Sequence, residues 1–309
     1  MEQVRFAPAK RLHLVLLLIT LLLAAQPALA VPHVLTSIKP IHSLAAAVME
    51  GVGSPDLLIE GTASEHGYVL RPGDARKIAE ADVIFWVGPD LETYLIGPLA
   101  NLAPAARKIE LSRVPGLRLL PARPAGVWGG EAKALSSGIN PHIWLSPDDA
   151  IVIVRAMAAA LSAADPKNAE RYRRNAASET TNLEQLKAQI RSGLAPVRGR
   201  PFIVFHDAYP YFEQAFDMPA AGAVAVAPDR PVGPRTVAQL RSAIVERHVV
   251  CIFREPQFPP TLIDTLIAGT PVRVGVLDPL GADLQPGPKL YDTMMRRIAG
   301  ALRSCLSGH

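Results

Sequence analysis

Short apolar runs alternate with amphipathic, helix-compatible segments along most of this chain. Runs of this kind, each followed by a helical pattern, predict β/α units whose strands form a parallel sheet with both faces covered. The sequence therefore predicts an α/β fold with two β/α lobes. The predicted strands are HVLTSI, PDLLIE, DVIFWVG and ARKIELS in the first lobe, and PFIVF, GAVAVA, VVCIF and VRVGVL in the second.

A long polar stretch separates the two groups of units. Asp165 suits a helix N-cap and Pro166 the first helical position, while residues 167–191 contain no Gly or Pro. Gly193 and Pro196 end the pattern. A helix of roughly 27 residues spans about 40 Å, so we expect a long rigid α-helix that joins the lobes; an ordinary long surface helix is the alternative. The predicted organisation is a signal segment (1–30), a first lobe (31–164), the connecting helix (165–193) and a second lobe (194–309).

The beginning of the chain has the pattern of a secretory signal peptide. Lys10 and Arg11 precede the apolar run LHLVLLLITLLLAA, and Ala28, Leu29 and Ala30 give the small-x-small pattern of a cleavage site. The apolar run is too short and wrongly flanked for a durable membrane span, although an uncleaved anchor is the alternative. No cysteine near this site could carry a lipid. We therefore expect a soluble periplasmic protein after processing.

The composition is that of a well-buried globular protein. Of the 309 residues, 49% are hydrophobic and 19% charged, and the length leaves room for two domains. The formal charge of +4 falls to +2 without the signal segment, because Glu2, Arg5, Lys10 and Arg11 leave with it. No cluster of Lys and Arg interleaved with aromatic residues is present, which argues against nucleic-acid binding.

The two cysteines lie far apart in the second half of the chain. Cys251 is part of the predicted strand VVCIF, and Cys305 ends the last helical stretch. In an oxidising compartment we expect them to form a disulfide that joins this helix to the sheet; two buried free thiols are the alternative. Closing a loop of that length should stabilise the fold by about 4 kcal/mol in the chain-entropy model.

Three histidines lie where predicted strands end or helices begin. His206 directly follows the strand PFIVF, His66 follows PDLLIE, and His142 lies just before a predicted helix. Ligands of open parallel sheets bind beyond the carboxyl ends of the strands. Because two of these histidines precede the connecting helix and one follows it, they can meet only between the lobes. Their spacing matches no local zinc signature, and three isolated histidines can also be structural.

Two carboxylates accompany these histidines. Glu65 is the neighbour of His66, and Asp278 ends a predicted strand of the second lobe. Three imidazoles and one carboxylate suit a divalent transition metal, above all tetrahedral Zn²⁺, because an anionic neighbour offsets part of the buried ion's charge. The chain contains no Gly-rich phosphate loop, G-x-S-x-G elbow or H-E-x-x-H motif, so nucleotide binding, serine hydrolysis and zincin chemistry have no support.

Several motifs resemble those of one protein family across almost the whole processed chain, from about His33 to Cys305. They are GTASEHGYVLRPGDARKIAEADVIFWVGPDLETYL, NPHIWLSPDDA, FHDAYPYFEQAF, EPQF and LDPLG. They are similar to the zinc-uptake (ZnuA-type) solute-binding proteins of bacterial ABC transporters, in the metal-binding cluster A-I family, which also includes manganese-binding members. The resemblance implies two β/α lobes joined by a long rigid helix, with the metal between them.

The resemblance also implies a set of site residues. The metal ligands are His66, His142 and His206. Manganese-binding members tend to have a carboxylate at the position of His206, and a nitrogen there favours zinc because imidazole is a softer ligand than oxygen. The two cysteines match the disulfide of the zinc-type branch.

The resemblance leaves the fourth ligand open. Glu65 matches a ligand of some zinc-type members, Asp278 matches the carboxylate ligand of others, and water is a third option. We prefer Asp278 as a ligand or close neighbour, because an Asp at a strand end points towards the space between the lobes. We expect Asp207 to cap the following helix or to orient His206.

The chain departs from its zinc-type relatives in one region. They often carry a loop rich in His and Asp where this chain has residues 114–138, and this segment contains no histidine. An auxiliary zinc site in this loop would therefore lack imidazole ligands.

The sequence thus predicts high-affinity capture of Zn²⁺ in the periplasm and its delivery to an ABC permease. The expected partners are the zinc ion and, transiently, the inner-membrane permease; we expect a monomer without nucleic-acid partners and without enzymatic activity. One alternative is a manganese or iron uptake protein of the same fold. Another is a zinc hydrolase with three histidine ligands and Glu65 as general base.

Overall fold

The computed structural model describes residues 31–128, 138–225 and 232–308. The predicted signal segment, residues 1–30, lies outside the described residues, as do His309 and the end of the histidine-free loop, residues 129–137. None of the helices in the described part of the chain combines the length and apolar character needed to cross a membrane.

The first sheet has four parallel strands in the order β2-β1-β3-β4. Its inner strand pair has Leu35 opposite Ile84, and both side chains are buried in an apolar cluster with Leu58, Ile78 and Leu99. The predicted strands of the first lobe therefore form the predicted parallel sheet. The elements up to this point are β1 (Val34–Thr36), α1 (Lys39–Val48), β2 (Asp56–Leu57), α2 (Pro72–Glu80), β3 (Val83–Trp86), α3 (Ile96–Leu102) and β4 (Arg107–Glu110).

The second sheet has five strands in the order β5-β7-β6-β8-β9. Strands β6 to β9 are parallel, and a short strand from the histidine-free segment, β5, pairs antiparallel with β7. A segment that precedes the long helix thus extends the second sheet. The lobe boundaries at residues 164 and 194 remain a prediction. The elements of this part are β5 (Gly126–Val127), β6 (Phe202–His206), α6 (Pro210–Phe216), β7 (Gly222–Ala225), α7 (Pro234–Glu246), β8 (Cys251–Arg254), α8 (Thr261–Ile267), β9 (Arg273–Val276) and α9 (Leu290–Ser307).

The predicted long helix is present as α5 (Ala169–Leu194), 26 residues or about 39 Å in length. It follows α4 (Pro147–Ala164) and packs against α4, α1 and α9. One stripe of the helix is buried along its whole length, because apolar residues recur every three or four positions; the stripe runs from Tyr172 through Leu183 to Leu194. This packing, more than the helix alone, makes the connection rigid.

Helix α9 holds parts of both halves of the chain together. It packs against α1 and α5 on one side and β9 on the other, and the predicted disulfide joins its Cys305 to Cys251 of β8. The hydroxyl of Tyr291 donates to the carbonyl of Trp144 at 2.7 Å, and the Trp144 indole donates to the carbonyl of Pro279 at 2.8 Å. The prediction that this helix is fixed to the sheet by a disulfide is confirmed.

The turn that precedes α9 is held by a buried lysine. The ammonium of Lys39, at the start of α1, donates to the carbonyls of Gly281, Ala282 and Leu284 at 3.4, 2.5 and 3.2 Å. Lys39 is only 6% exposed. It therefore connects the first helix to a turn more than 240 residues later in the chain.

Candidate metal centre

His206 is the last residue of β6, the central strand of the second sheet. Its Nδ1 lies 2.8 Å from both carboxylate oxygens of Glu255, which directly follows β8. Both side chains are 1% exposed. Burial acts to lower the pKa of His206, but the carboxylates of Glu255, Glu65 and Asp207 together outweigh it, Glu255 most strongly, and the pKa is raised above its usual value. With Nδ1 facing Glu255, His206 can offer Nε2 to a ligand.

His142 is placed by an irregular segment between β5 and α4. It precedes the 3₁₀ turn Ile143–Leu145, and its backbone N–H and Nδ1 both lie against Oδ1 of Asn140, at 3.1 and 3.0 Å. Burial, followed by the neighbouring imidazoles of His206 and His66, holds the pKa of His142 well below its usual value. His142 therefore stays neutral and, like His206, has its Nε2 free for a ligand.

His66 lies in the irregular segment between β2 and α2. Its side chain is 12% exposed, compared with 2% for His142 and 1% for His206, so it faces the solvent side of the centre. Burial and the neighbouring His206 lower the pKa of His66 to about 3. His206 ends a strand and His142 precedes a helix, as expected, whereas His66 lies nine residues after the end of β2 and not at the strand end that the sequence suggested.

The three Nε2 atoms converge on one point. Nε2 of His142 lies 3.3 Å from Nε2 of His66 and 3.2 Å from Nε2 of His206. Two nitrogens bound to one tetrahedral zinc ion at 2.0–2.1 Å are about 3.4 Å apart. The two distances therefore match those between nitrogens on a single tetrahedral ion, and the ligand atoms of the whole cluster lie within 4.8 Å of one another.

Glu65 completes a cluster of four potential ligands with the three histidines. Its Oε1 lies 3.9 Å from Nε2 of His66 and 3.8 Å from Nε2 of His142, and this buried oxygen has no hydrogen-bond partner. Burial raises the pKa of Glu65 to about 7, against the opposing effect of His206. A buried carboxylate oxygen without a partner is costly, and a cation at the point shared by the imidazoles would relieve that cost.

Asp278, the other predicted fourth ligand, uses its carboxylate elsewhere. Its Oδ1 accepts from the backbone N–H groups of Leu280 and Gly281, both at 3.0 Å, and from Nε2 of Gln257 at 2.8 Å. Its Oδ2 accepts from the N–H of Ala282 at 2.6 Å. Asp278 is absent from the cluster of possible ligands among the described residues.

Three residues that contact the clustered histidines or their neighbours were not predicted. We expected Asp207 to cap α6 or orient His206, but Glu255 contacts His206, and Asp207 instead accepts hydrogen bonds from Arg123 and Asn140. Glu255 follows a strand adjacent to β6, so the strand-end rule that located the histidines could have located it. The contacts of Asn140 and Arg123 with Asp207 span 67 and 84 residues and leave no periodic signal, although Asn140 lies only two residues before His142.

Comparison with known proteins places the chain in a family. A family model described as "Zinc-uptake complex component A periplasmic" matches residues 34–305. The chain is 39% identical to the high-affinity zinc uptake system protein ZnuA of Brucella suis biovar 1 (strain 1330), over 89% of this chain and 91% of that protein. This chain belongs to the zinc-uptake component A family. It is also 34% identical to ZnuA of Yersinia pestis, over 93% of this chain and 95% of that protein.

Solved structures share the fold. A zinc-bound deletion mutant of ZnuA superposes with a TM-score of 0.76 at 23% identity, and the match covers 90% of this chain and 99% of that one. The manganese complex of the SBP FpvC from Pseudomonas aeruginosa gives 0.78 at 22% identity, with the same coverage. At these identities the likeness concerns the fold alone, and the two neighbours hold different metals. The predicted two-lobed α/β fold is confirmed; the choice of metal depends on the donor atoms.

Proposed function

We propose that this chain captures Zn²⁺ in the periplasm and delivers it to the permease of an ABC transporter. The observation that carries the proposal is the convergence of three Nε2 atoms, with neighbouring pairs 3.2 and 3.3 Å apart, which fits one tetrahedral ion. Imidazole nitrogens suit zinc better than manganese, which prefers oxygen ligands. The zinc uptake function carried in the names of the relatives agrees with this chemistry.

Within this proposal, His66, His142 and His206 bind the ion and Glu65 is the fourth ligand. We favour Glu65 over Asp278 because Glu65 has a buried oxygen without a partner, whereas both oxygens of Asp278 already accept hydrogen bonds. Ionised Glu65 and Glu255 together would neutralise the two charges of the ion. Glu65→Gln should therefore weaken zinc binding, while Asp278→Asn should mainly destabilise the turn at residues 280–282.

The ion would enter and leave past His66. An open groove of about 590 Å³ lies beside it, lined by residues on both sides of His66 in the chain and by Phe258. Because α5 is buried along one stripe and α9 packs on both halves, release would involve a local movement of the segment around His66 more than a wide opening of the lobes. Delivery by a monomer in transient contact with the permease, after export directed by residues 1–30, belongs to the same proposal.

The decisive experiment is elemental analysis of protein purified from its own periplasm without added metal. We expect one zinc per chain. Manganese or iron in place of zinc would overturn the proposal in favour of the corresponding uptake protein.

Equilibrium competition with a zinc chelator then tests the ligands. His206→Ala should weaken binding by more than the roughly 10- to 100-fold that loss of an outer-shell partner costs. His248→Ala is the matched control, because His248 is exposed and outside the cluster; it should bind as the wild type does. The proposed carrier performs no covalent chemistry, so ester or phosphate turnover that is lost in Glu65→Gln would contradict this part.

A further inference from the structure

The part of the histidine-free segment that precedes β5 contacts the strand end that carries His206. Arg123 in this segment donates from Nε and Nη2 to Oδ1 of Asp207 at 2.8 and 2.6 Å, and its backbone N–H donates to Oδ2 at 2.7 Å. Nη1 and Nη2 also reach the two carboxylate oxygens of Glu213 at 2.8 and 2.6 Å. The guanidinium thus links Asp207, the residue after His206, to the first turn of α6.

Arg123 is held rigidly in this position. Its guanidinium carbon lies 3.6 Å from the ring centre of Trp128, and the Trp128 indole donates to the carbonyl of Pro124 at 2.8 Å. Asp207 and Glu213 are 2% and 7% exposed, and the Arg123 side chain is 22% exposed. Charge-assisted, forked hydrogen bonds of this kind are stronger than neutral ones and fix orientation. Because the two carboxylates are buried, salt screens these ion pairs less than it screens pairs at the surface.

Asn140 joins Asp207 to the second histidine. Its Nδ2 donates to the backbone carbonyl of Asp207 at 2.5 Å and lies 3.3 Å from Oδ2 of the same residue. On the other side, its Oδ1 faces the N–H and Nδ1 of His142. Tyr211 and Leu120 hold the Asn140 backbone, through the Tyr211 hydroxyl at 2.8 Å and the Leu120 carbonyl at 2.8 Å.

These contacts determine which nitrogen of His142 is available to a metal. A backbone carbonyl is only an acceptor, so the carbonyl of Asp207 requires the NH₂ group of Asn140. The amide oxygen must then face His142, and Nδ1 must carry the proton that it donates to this oxygen. The lone pair of His142 is therefore on Nε2, the atom that lies among the other imidazole nitrogens.

We propose that Arg123 and Asn140 are positioning residues of the metal centre: Arg123 holds the backbone of Asp207 in place, and Asn140 uses that backbone to fix the tautomer and ring orientation of His142. The expected effect on zinc affinity rests on the proposed zinc function. The hydrogen bonds that run from Arg123 through Asp207 and Asn140 to His142, called the relay below, are present without metal. The relay gives the histidine-free segment a structural role at the metal centre.

The first test reads the tautomer of His142 by ¹⁵N NMR in the metal-free, full-length chain. The wild type should show a single tautomer with the proton on Nδ1. Asn140→Leu, which removes both amide contacts at similar volume, should give a mixture or the other tautomer. A single unchanged tautomer in this variant would overturn the proposal. Wild-type protein without zinc affinity would refute the proposed function but leave this test intact.

The second test is the zinc affinity of the same proteins. Asn140→Leu should lose 10- to 100-fold, as outer-shell changes typically do, and Arg123→Met about tenfold, with partial recovery in Arg123→Lys, which keeps a charge for Asp207. Because Arg123 acts through Asn140, the double variant should lose no more than Asn140→Leu alone.

Arg113→Met is the matched control, since Arg113 precedes Arg123 by ten residues and forms an exposed pair with Glu110; its affinity should equal that of the wild type. Full additivity in the double variant, or an unchanged affinity in Asn140→Leu, would refute the relay. If Arg123→Met does not fold, as judged by circular dichroism, the Arg123→Lys and Asn140→Leu variants decide the question.

Discussion

Glu255 provides the most direct test of whether a contact on the Nδ1 side of His206 supports metal binding at its Nε2. Its carboxylate contacts Nδ1 of His206 at 2.8 Å through both oxygens, and both groups are buried. A carboxylate in this position raises the basicity of the imidazole and offsets the charge of the ion beyond it. Glu255→Gln keeps a hydrogen-bond acceptor of nearly the same shape and removes only the charge.

The expected loss follows from two magnitudes. A unit charge about 7 Å from a divalent ion interacts by about 5 kcal/mol at an effective dielectric of 20, which is an upper limit. Outer-shell substitutions at metal sites cost 10- to 100-fold in affinity, about 1.4–2.7 kcal/mol. Because the glutamine still accepts the Nδ1–H bond, we expect a loss within this second range.

The assay is a chelator competition at pH 7.5 for wild type, Glu255→Gln and a control, Glu246→Gln. Glu246 is exposed, and its carboxylate accepts only from Ser242 among the contacts described. The control should be unchanged. An affinity of Glu255→Gln within twofold of the wild type would show that the buried charge does not support the ion, and the reasoning would fail.

Three further predictions concern pH and stability. Zinc affinity should fall by about tenfold per pH unit once the pH is below the raised pKa of His206, because a proton on its Nε2 must leave before the ion binds; equal affinity at pH 7.5 and 5.5 would contradict histidine ligation. Replacing Cys251 and Cys305 with Ala should lower the free energy of unfolding by about 4 kcal/mol in urea, since the closed loop spans 54 residues; an unchanged value would show that packing alone holds α9. Lys39→Met should lower the free energy of unfolding by about 2–4 kcal/mol in the same assay, because the backbone carbonyls that accept from the buried ammonium lose their donor. A urea midpoint equal to that of the wild type would show that these hydrogen bonds do not stabilise the fold.

Much of the fold could be predicted because it depends on local patterns, whereas the three proposed histidine ligands were predicted from the family resemblance. Apolar runs alternating with helical patterns predicted the first sheet and the four parallel strands of the second, and the strand-end rule predicted where His206 would lie. The same rule also drew attention to Asp278, which lies at a strand end but bonds to N–H groups of its own turn. Asp side chains commonly satisfy neighbouring backbone donors in this way. Strand position alone therefore cannot distinguish a ligand from a turn-forming residue.

The missed contacts are those between distant segments. Nothing in the stretch around Arg123 predicts that β5 would pair with β7, because two residues are too few for a periodic signal. The ion pair of Arg123 with Asp207 spans 84 residues and depends on that pairing. Likewise, the contacts of Lys39 with residues 281–284 require the whole fold.

The position of α9 bears on the stage of folding at which the metal centre can form. This helix, residues 290–307, fills the space against α1 and α5 and supports the turn that Lys39 holds. Until α9 has packed, the apolar faces of α1 and α5 that it contacts remain uncovered. Native contacts of such long sequence separation form late and slowly. The metal centre should therefore reach its final geometry late in folding, after this last helix has packed.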